Sequence, residues 1–196
     1  MTGQQVQGLL LRPTTTPPLL DVPTYSLATC QDNDHNNTSN MNILTYATPV
    51  SIRPDRLWSL GLFHDTLTYQ NFAATKQGVL QLLRPCHAEL VKVLGGSSGR
   101  DVDKQSECET LGYPWIKAPA EWGESAPELL PDCVCYLQMS LVGENLIDCG
   151  SHSVAICKVE SMWTSKNDEE PEDVPHLHTA RLREMGIITP QGRVAE

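Results

Sequence analysis

The sequence of 196 residues has few basic side chains relative to its acidic ones, with 14 Lys and Arg against 24 Asp and Glu. The resulting formal net charge of −10 makes the protein a poor electrostatic partner for the phosphate backbone of a nucleic acid. No apolar run approaches the roughly 18 residues that a membrane-spanning helix requires. We therefore expect neither nucleic-acid binding nor a membrane span, and an anionic cofactor would need a local pocket of hydrogen-bond donors.

Paired cysteines and familiar nucleotide or metal motifs are also missing. The seven cysteines are an odd number without a C-x-x-C pair, which favours free thiols and a cytoplasmic protein. An organellar transit segment within residues 1–18 stays an open alternative. The sequence has no G-x-G-x-x-G, no G-x-x-x-x-G-K-[ST] and no H-E-x-x-H. His176 and His178 fall short of a four-ligand set, so we predict no metal site.

The hydrophobic pattern predicts a mainly β fold. Two-residue alternation and β-branched runs, separated by turns rich in Gly, Pro and Asn, mark the strands. The predicted strands cover residues 25–29, 41–52, 57–63, 78–83, 133–142 and 151–159, with a further start at 146. Because β-α-β alternation is absent, we predict a small Greek-key barrel of about six strands, closed or nearly closed.

Two helices are predicted among these strands. A mid-chain helix covers residues 85–94, with Pro85 in its first turn and two glycines, residues 95–96, just past its end. A short C-terminal helix covers residues 178–185 and ends at Gly186. Residues 64–68 are predicted to be a polar loop between strands.

The composition divides the chain into three parts. Residues 1–23 are a Pro-rich arm, and residues 24–163 hold the strands of a single domain. Within this domain, residues 105–130 carry two tryptophans without a clear period, which indicates an insertion and a candidate cover for a ligand. Residues 164–196 are an acidic extension that contains the short C-terminal helix.

Small hydroxyl and amide donors concentrate on one predicted strand and in the loop after the next. Asn42, Thr45, Thr48 and Ser51 lie on the first, and His64, Thr66 and Thr68 lie in the loop. Such donors, with a cation supplied by His64, Arg53, Arg100 or Lys104, can hold a phosphomonoester. The alternative is that threonine in strands reflects β propensity alone.

The order of five sequence segments resembles that of the flavin reductase-like family, whose fold is an FMN-binding split barrel. The segments are the run NILTYATPVSIRP at residues 42–54, TLTYQNF at 66–72, the strand at 78–83, SGRDVDK at 98–104 and GSH at 150–152. The resemblance covers roughly residues 24–160. It implies a six-stranded Greek-key split β-barrel that forms a homodimer and holds FMN near the subunit interface.

Residue by residue, the resemblance also implies a cofactor site. Five residues are implied to run along the isoalloxazine ring of FMN: Asn42, Thr45, Tyr46, Ala47 and Thr48. Thr66 and Thr68, helped by His64, are implied to hold its phosphate. Lys104 is implied to lie close to the flavin or its phosphate, and Arg100 is a further cofactor-binding candidate in the loop before it. His152 is implied to face the ring or the nicotinamide and is the candidate catalytic residue. Its alternative role is to cap a turn at the start of a strand.

The sequence departs from the family pattern at three places. Gln81 stands where the family often has Asn, Gln105 where an aromatic residue is usual, and Cys157-Lys158-Val159 where Gly-Glu-Val is frequent. These departures leave three hypotheses open. The first is a flavin reductase that transfers a hydride from NAD(P)H to flavin. The second keeps FMN as a fixed prosthetic group that reduces another small molecule or an iron chelate. The third is a non-catalytic flavin- or haem-binding split barrel.

Overall fold

A computed structural model describes residues 18–31, 38–165 and 175–195. Most of the Pro-rich arm and the acidic run of the C-terminal extension lie outside these ranges. The described part contains four α-helices: α1 (Leu67–Thr75), α2 (Leu90–Gly96), α3 (Lys104–Thr110) and α4 (Thr179–Glu184). It contains eight strands: β1 (Tyr25–Cys30), β2 (Ser39–Leu44), β3 (Ala47–Ser51), β4 (Leu57–Phe63), β5 (Gln77–Leu82), β6 (Cys135–Leu141), β7 (Ile147–Asp148) and β8 (His152–Thr164).

The strands form one antiparallel sheet in the order β2-β1-β5-β6-β8-β4-β3, with β7 paired to β8. The two strands at the ends of this order, β2 and β3, are consecutive in the chain and are separated only by Thr45 and Tyr46. Two residues span only a short distance, so the opposite edges of the sheet must lie close together. The sheet therefore curls into a barrel that is split between β2 and β3, and the prediction of a mainly β, split-barrel fold is confirmed.

One hydrophobic cluster fills the inside of the curled sheet. Its members come from β1, β2, β4, β5, β6 and β8, together with Phe72 of α1. The rings of Tyr25 on β1 and Trp58 on β4 meet edge to face with centroids 6.0 Å apart, although these two strands do not pair. Contacts of this kind across the interior stabilise the curl because they remove apolar surface of non-adjacent strands from water.

A second cluster lies on the outer face of the sheet. Tyr136 of β6 belongs to this second cluster, whereas its strand neighbours Leu137 and Met139 belong to the interior cluster. The predicted alternation of this strand is therefore confirmed. Helix α2 and the segment 105–130 complete the cluster, with Trp115 and Trp122 buried in it. The segment is tied to the sheet because the backbone N–H of Leu130 donates to Oε1 of the buried Gln81 at 2.7 Å. This explains one departure from the family pattern.

The C-terminal segment returns to the first strand. The backbone N–H of Thr24 donates to the carbonyl of Leu177 at 2.8 Å, and the N–H of Leu177 donates to the carbonyl of Leu83 at 2.8 Å. Leu182 of α4 and the following Ile187 are buried in the outer cluster. The predicted C-terminal helix is confirmed, and the segment that follows it packs against the barrel.

Several sequence-based element bounds are wrong. The predicted strand over residues 41–52 is two strands, because the chain turns at Thr45 and Tyr46. The predicted loop over 64–68 enters helix α1, which the Thr66 side chain caps by accepting from the N–H of Tyr69. The predicted helix over 85–94 is a 3-10 turn, Pro85–His87, followed by α2, so Gly95 and Gly96 belong to the helix. The sheet has eight strands instead of six.

No helix among residues 18–31, 38–165 and 175–195 combines the length and apolar character needed to cross a bilayer. In the same ranges, no group of three or more His, Cys, Asp and Glu side chains could hold a metal ion.

Candidate functional site

A cavity of about 330 Å³ opens at the split between β2 and β3. Its walls come from the corner between these strands, the end of β4, the start of α1, the end of α2 with the loop after it, and the C-terminal segment. The volume falls within the range of roughly 300–1,000 Å³ that is typical of small-molecule sites. Seven of the eleven predicted site residues line the cavity: Asn42, Thr45, Tyr46, Thr66, Thr68, Lys104 and His152.

The corner at Thr45 and Tyr46 sets the shape of one wall. Neither residue belongs to β2 or β3, and both line the cavity. The N–H of Gly61 on β4 donates to the carbonyl of Tyr46 at 2.8 Å, which fixes the corner against the barrel. This approach requires glycine, because a Cβ atom at position 61 would lie only 2.9 Å from the Cβ of Tyr46.

The side chain of His152 lies between two aromatic rings at the start of β8. Its ring centroid is 5.5 Å from that of Tyr46 and 5.2 Å from that of Phe63. A hydrogen bond of 2.9 Å joins its Nδ1 to the Oγ of Ser151. Burial, followed by the positive charges of Arg193 and His64, lowers the pKa of His152 below its usual value. The imidazole is therefore mostly neutral at pH 7 and offers a ring nitrogen as a hydrogen-bonding group.

The two threonines at the start of α1 already take part in hydrogen bonds within the protein. The Thr66 hydroxyl donates to the carbonyl of Phe63 at 2.8 Å and accepts from the N–H of Tyr69 at 3.1 Å. The Oγ1 of Thr68 accepts from Nδ2 of the buried Asn40 at 2.7 Å. The helix cap and the Asn40 bond hold this wall in place. The contact of Thr66 and Thr68 with a phosphate, which the resemblance implies, stays a prediction.

Lys104 is the buried cation of the cavity. Its ammonium group donates to the carbonyl of Met41 at 3.0 Å and to that of Leu94 at 2.6 Å. Burial lowers the pKa of Lys104 to about 8. The two bonds join β2 to the last turn of α2, and since an ammonium has three N–H donors, one is left for a ligand.

Four predicted site residues do not line the cavity. Ala47 and Thr48 pair with β4 on strand β3. The Nε2 of His64 forms a hydrogen bond of 2.9 Å with the Oγ of Ser153, and Nη1 of the exposed Arg100 donates to the carbonyl of Asp65 at 3.4 Å. No residue of the segment 105–130 lines the cavity either, because that segment packs against the outer face of the sheet.

The C-terminal segment supplies cavity residues that sequence reasoning missed. Leu182, Ile188 and residues 191–194 line one side, and the guanidinium carbon of Arg193 lies 5.4 Å from the centroid of the Phe63 ring. No local motif marks these residues, since their place depends on the return of the chain over β1. A second cavity of about 340 Å³, beside Trp122 and Gln138, contains none of the predicted site residues.

The family model described as the flavin reductase like domain matches residues 22–183. The chain belongs to this family. Membership supports a flavin-related oxidoreductase, which agrees with the resemblance of the five sequence segments. No protein of curated function matches the sequence.

Solved structures share the fold of this family member at low sequence identity. Flavoredoxin from Methanosarcina acetivorans is 14% identical with a TM-score of 0.65, and the match covers 86% of this chain and 81% of that chain. The FMN-binding protein from Thermus thermophilus, solved with bound p-hydroxybenzaldehyde, is 17% identical with a TM-score of 0.65, covering 91% and 90%. The NADH:FAD oxidoreductase of Streptomyces globisporus, solved with NAD and FAD fragments, is 13% identical with a TM-score of 0.62, covering 81% of each chain.

Proposed function

We propose that this family member binds FMN in the cavity at the split of the barrel and transfers a hydride from NAD(P)H to flavin. The observation that carries the proposal is the cavity itself, which gathers seven of the eleven residues that the sequence pattern assigns to an FMN site. Of the remaining four, Ala47 and Thr48 lie on β3, His64 directly follows β4, and Arg100 lies in the loop between α2 and α3.

The residues present fit a flavin. The corner at Thr45 and Tyr46 lies outside the strand pairings on either side and lines the cavity. The carbonyl of Tyr46 accepts from Gly61, and the backbone N–H groups of the corner are suited to hydrogen bonds with a flat heterocycle. The cavity also holds Lys104 and Arg193 as cations against a single acidic side chain, Asp65. An excess of cationic groups suits a phosphomonoester in an otherwise acidic protein. Bound FMN would supply the hydride-accepting ring.

The residues of this chain would position the reactants and exclude water. His152, held at Nδ1 by Ser151 and flanked by Tyr46 and Phe63, presents a neutral imidazole to the cavity. A neutral imidazole can donate or accept a hydrogen bond without adding charge, which suits a role beside a ring whose charge changes. Lys104 and Thr68 are buried in the walls, where hydrogen bonds to a ligand are stronger than in water.

We also propose that two copies of the chain pair through the outer face of β3, β4, β7 and β8. Tyr46, Gly61, Val154 and Ile147 form a row across this face, since Gly61 and Ile147 are both register partners of Val154. Tyr46 and Ile147 are 65% and 56% exposed. Because Tyr46 also lines the cavity, a second copy on this row would complete the cavity wall.

Sedimentation velocity tests the pairing. We expect the unmodified protein to sediment with twice the chain mass, and Ile147→Asp to sediment as a monomer because a carboxylate would be buried. Leu111→Asp, the same change at an exposed position outside the row, is the matched control and should leave the dimer intact. A monomer for the unmodified protein, or a dimer for Ile147→Asp, would contradict this pairing.

The absorption spectrum of the purified protein tests the proposed function and separates the three hypotheses. We expect bound or added FMN to give a yellow protein whose colour bleaches under anaerobic NADPH or NADH. Titration with FMN and with FAD then compares the two flavins. Bleaching without reduction of free flavin would favour a fixed prosthetic group, and a yellow protein that does not bleach would favour a passive binder. A protein that retains neither flavin would refute the proposal.

A further inference from the structure

The last described residues form a small hairpin beside the cavity. Ile188 and Val194 form an antiparallel bridge, and the N–H of Thr189 donates to the carbonyl of Arg193 at 2.7 Å. The turn closes at Gly192, whose φ of 81° favours glycine. Ile188 is buried in the outer cluster, so the hairpin is anchored in the core.

The hairpin is seated against the end of helix α2. A Cβ atom on Gly95 would lie 3.3 Å from the side chain of Val194, and one on Gly96 would lie 3.2 Å from it. Two consecutive glycines thus allow Val194 to pack directly on the helix backbone. Together with the buried Ile188, this packing fixes the position of Arg193 at the cavity.

Arg193 differs from the other basic residue of the cavity. Lys104 is buried and already donates to two carbonyl groups. Arg193 is exposed and its guanidinium lies over the Phe63 ring, next to His152. No acidic side chain in the described ranges forms an ion pair with Arg193. Its planar fork of N–H donors is therefore available to a ligand.

The chemistry of this guanidinium defines the group it can bind. Arginine recognises carboxylates and phosphates through two parallel hydrogen bonds, and stacking on an aromatic ring holds the guanidinium in a fixed plane. Asp65, the single acidic residue of the cavity wall, belongs to the turn before α1 and forms no ion pair with Arg193. The nucleotides of the proposed reaction all carry phosphate.

From this geometry we infer that the hairpin of residues 189–194 is part of the binding site, and that Arg193 binds a phosphate group of a nucleotide held in the cavity. This inference rests on the proposed function. The phosphate belongs either to the flavin or to the nicotinamide dinucleotide, and the two sources are separable by ligands that lack it.

The test uses the full chain and three variants. Arg193→Gln removes the charge, and Arg193→Lys keeps the charge without the fork. Arg181→Gln is the matched control, because Arg181 is an exposed arginine of helix α4 that pairs with Glu184 and does not line the cavity. Flavin affinity is measured by fluorescence quenching with FMN and with riboflavin, which has the same ring but no phosphate.

If Arg193 binds the flavin phosphate, Arg193→Gln weakens FMN binding at least about tenfold and leaves riboflavin binding unchanged. If it binds the dinucleotide, both flavins bind as before, while KM for NADH or NADPH rises at least about tenfold at similar kcat. The phosphate-free donor 1-benzyl-1,4-dihydronicotinamide should then react equally with both proteins. In whichever of the two measurements changes, FMN affinity or KM for the dinucleotide, Arg193→Lys should give a value between those of the unmodified protein and Arg193→Gln. If Arg193→Gln changes neither the FMN affinity nor KM for NADH or NADPH, the inference is overturned.

A flavin-free measurement separates failure of the inference from failure of the proposed function. Pyrophosphate should raise the Tm of the unmodified protein and of Arg181→Gln, but not that of Arg193→Gln. If no protein binds flavin and this pattern still holds, the anion site stands and the proposed function fails. If all four proteins bind flavin equally and respond equally to pyrophosphate, the proposed flavin site stands and Arg193 is not the anion site. If the unmodified protein binds neither ligand, both are refuted.

Discussion

Gly61 and Tyr46 lie in direct backbone contact at the corner that opens the barrel. The N–H of Gly61 donates to the carbonyl of Tyr46 at 2.8 Å, and the position of a Cβ on Gly61 is 2.9 Å from the Cβ of Tyr46. Because Tyr46 lines the cavity and also contacts His152, the absence of a side chain at position 61 determines the position of this part of the cavity wall.

Gly61→Ala should therefore disturb the cavity more than the rest of the fold. The added methyl group has to displace the Tyr46 side chain, at a cost of about 1–3 kcal/mol in unfolding free energy. A displaced Tyr46 should also weaken FMN binding by about tenfold or more, measured by fluorescence titration. Ser59→Ala, two residues earlier on the same face of β4, is the control and should bind FMN normally. Normal FMN affinity in Gly61→Ala would show that the contact between Gly61 and Tyr46 does not determine the shape of the flavin site.

The strands were predictable because half-buried strands repeat every two residues. The predicted bounds of β4, residues 57–63, agree with the structure, and the two faces of β6 separate into the interior and outer clusters as expected. The break at Thr45 and Tyr46 was not predictable in this way. Both residues suit strands, and the turn there results from the need to join opposite edges of a curled sheet.

Helix α1 and the Arg193 hairpin show why other parts were missed. The helix Leu67–Thr75 is rich in Thr, Tyr, Asn and Phe, which have modest helix propensity, and it is held by the Thr66 cap and the buried Phe72. Arg193 reaches Phe63 only because the C-terminal segment returns across the barrel. Contacts between such distant parts of the chain leave no local pattern in a single sequence.

The buried bond between Asn40 and Thr68 supports the wall beneath the cavity. Nδ2 of Asn40 donates to Oγ1 of Thr68 at 2.7 Å, and both residues are almost fully buried. Thr68→Val keeps the shape but leaves a buried N–H without its acceptor, which should cost about 1–3 kcal/mol in unfolding free energy. Urea denaturation measures this loss. Thr68→Ser keeps the hydroxyl and should be markedly more stable than Thr68→Val; equal stability of the two variants would show that the bond contributes little.

His87 should make the stability of the protein depend on pH. Its side chain is fully buried beside the Tyr113 ring, its Nδ1 accepts from the N–H of Arg84 at 3.2 Å, and burial lowers its pKa to about 4. Since the unfolded chain takes up this proton near pH 6.5, the unfolded state binds more protons between pH 6.5 and 4. The His87 contribution to stability is therefore complete above pH 6.5 and is lost as the pH falls towards 4, by about 3 kcal/mol in total.

Comparison with His87→Asn isolates this effect from the titration of carboxylates. The asparagine side chain has an oxygen that can replace Nδ1 as an acceptor, and it does not titrate in this range. The unmodified protein should lose more stability than His87→Asn when urea unfolding is measured at pH 7.5, 5.5 and 4.5. A difference between the two proteins that stays constant with pH would show that His87 is not the titrating group.

His152 should govern the rate of flavin reduction, with a pH dependence linked to Arg193. The pKa of His152 is lowered by burial and then by the charges of Arg193 and His64. The imidazole therefore stays neutral until the pH falls below the usual pKa of histidine. If the proposed function holds, the transition that His152 adds to the pH profile of NADH oxidation should lie below pH 6.5, separate from the titration of Lys104 near pH 8. His152→Gln should reduce kcat by about tenfold to a hundredfold, with a smaller effect on FMN affinity, and should abolish this pH dependence. Arg193→Gln removes one of the charges that lower the pKa, so its transition should move to higher pH, whereas Arg181→Gln should leave the profile unchanged. Identical pH profiles for the unmodified protein and His152→Gln would exclude His152 from the reaction.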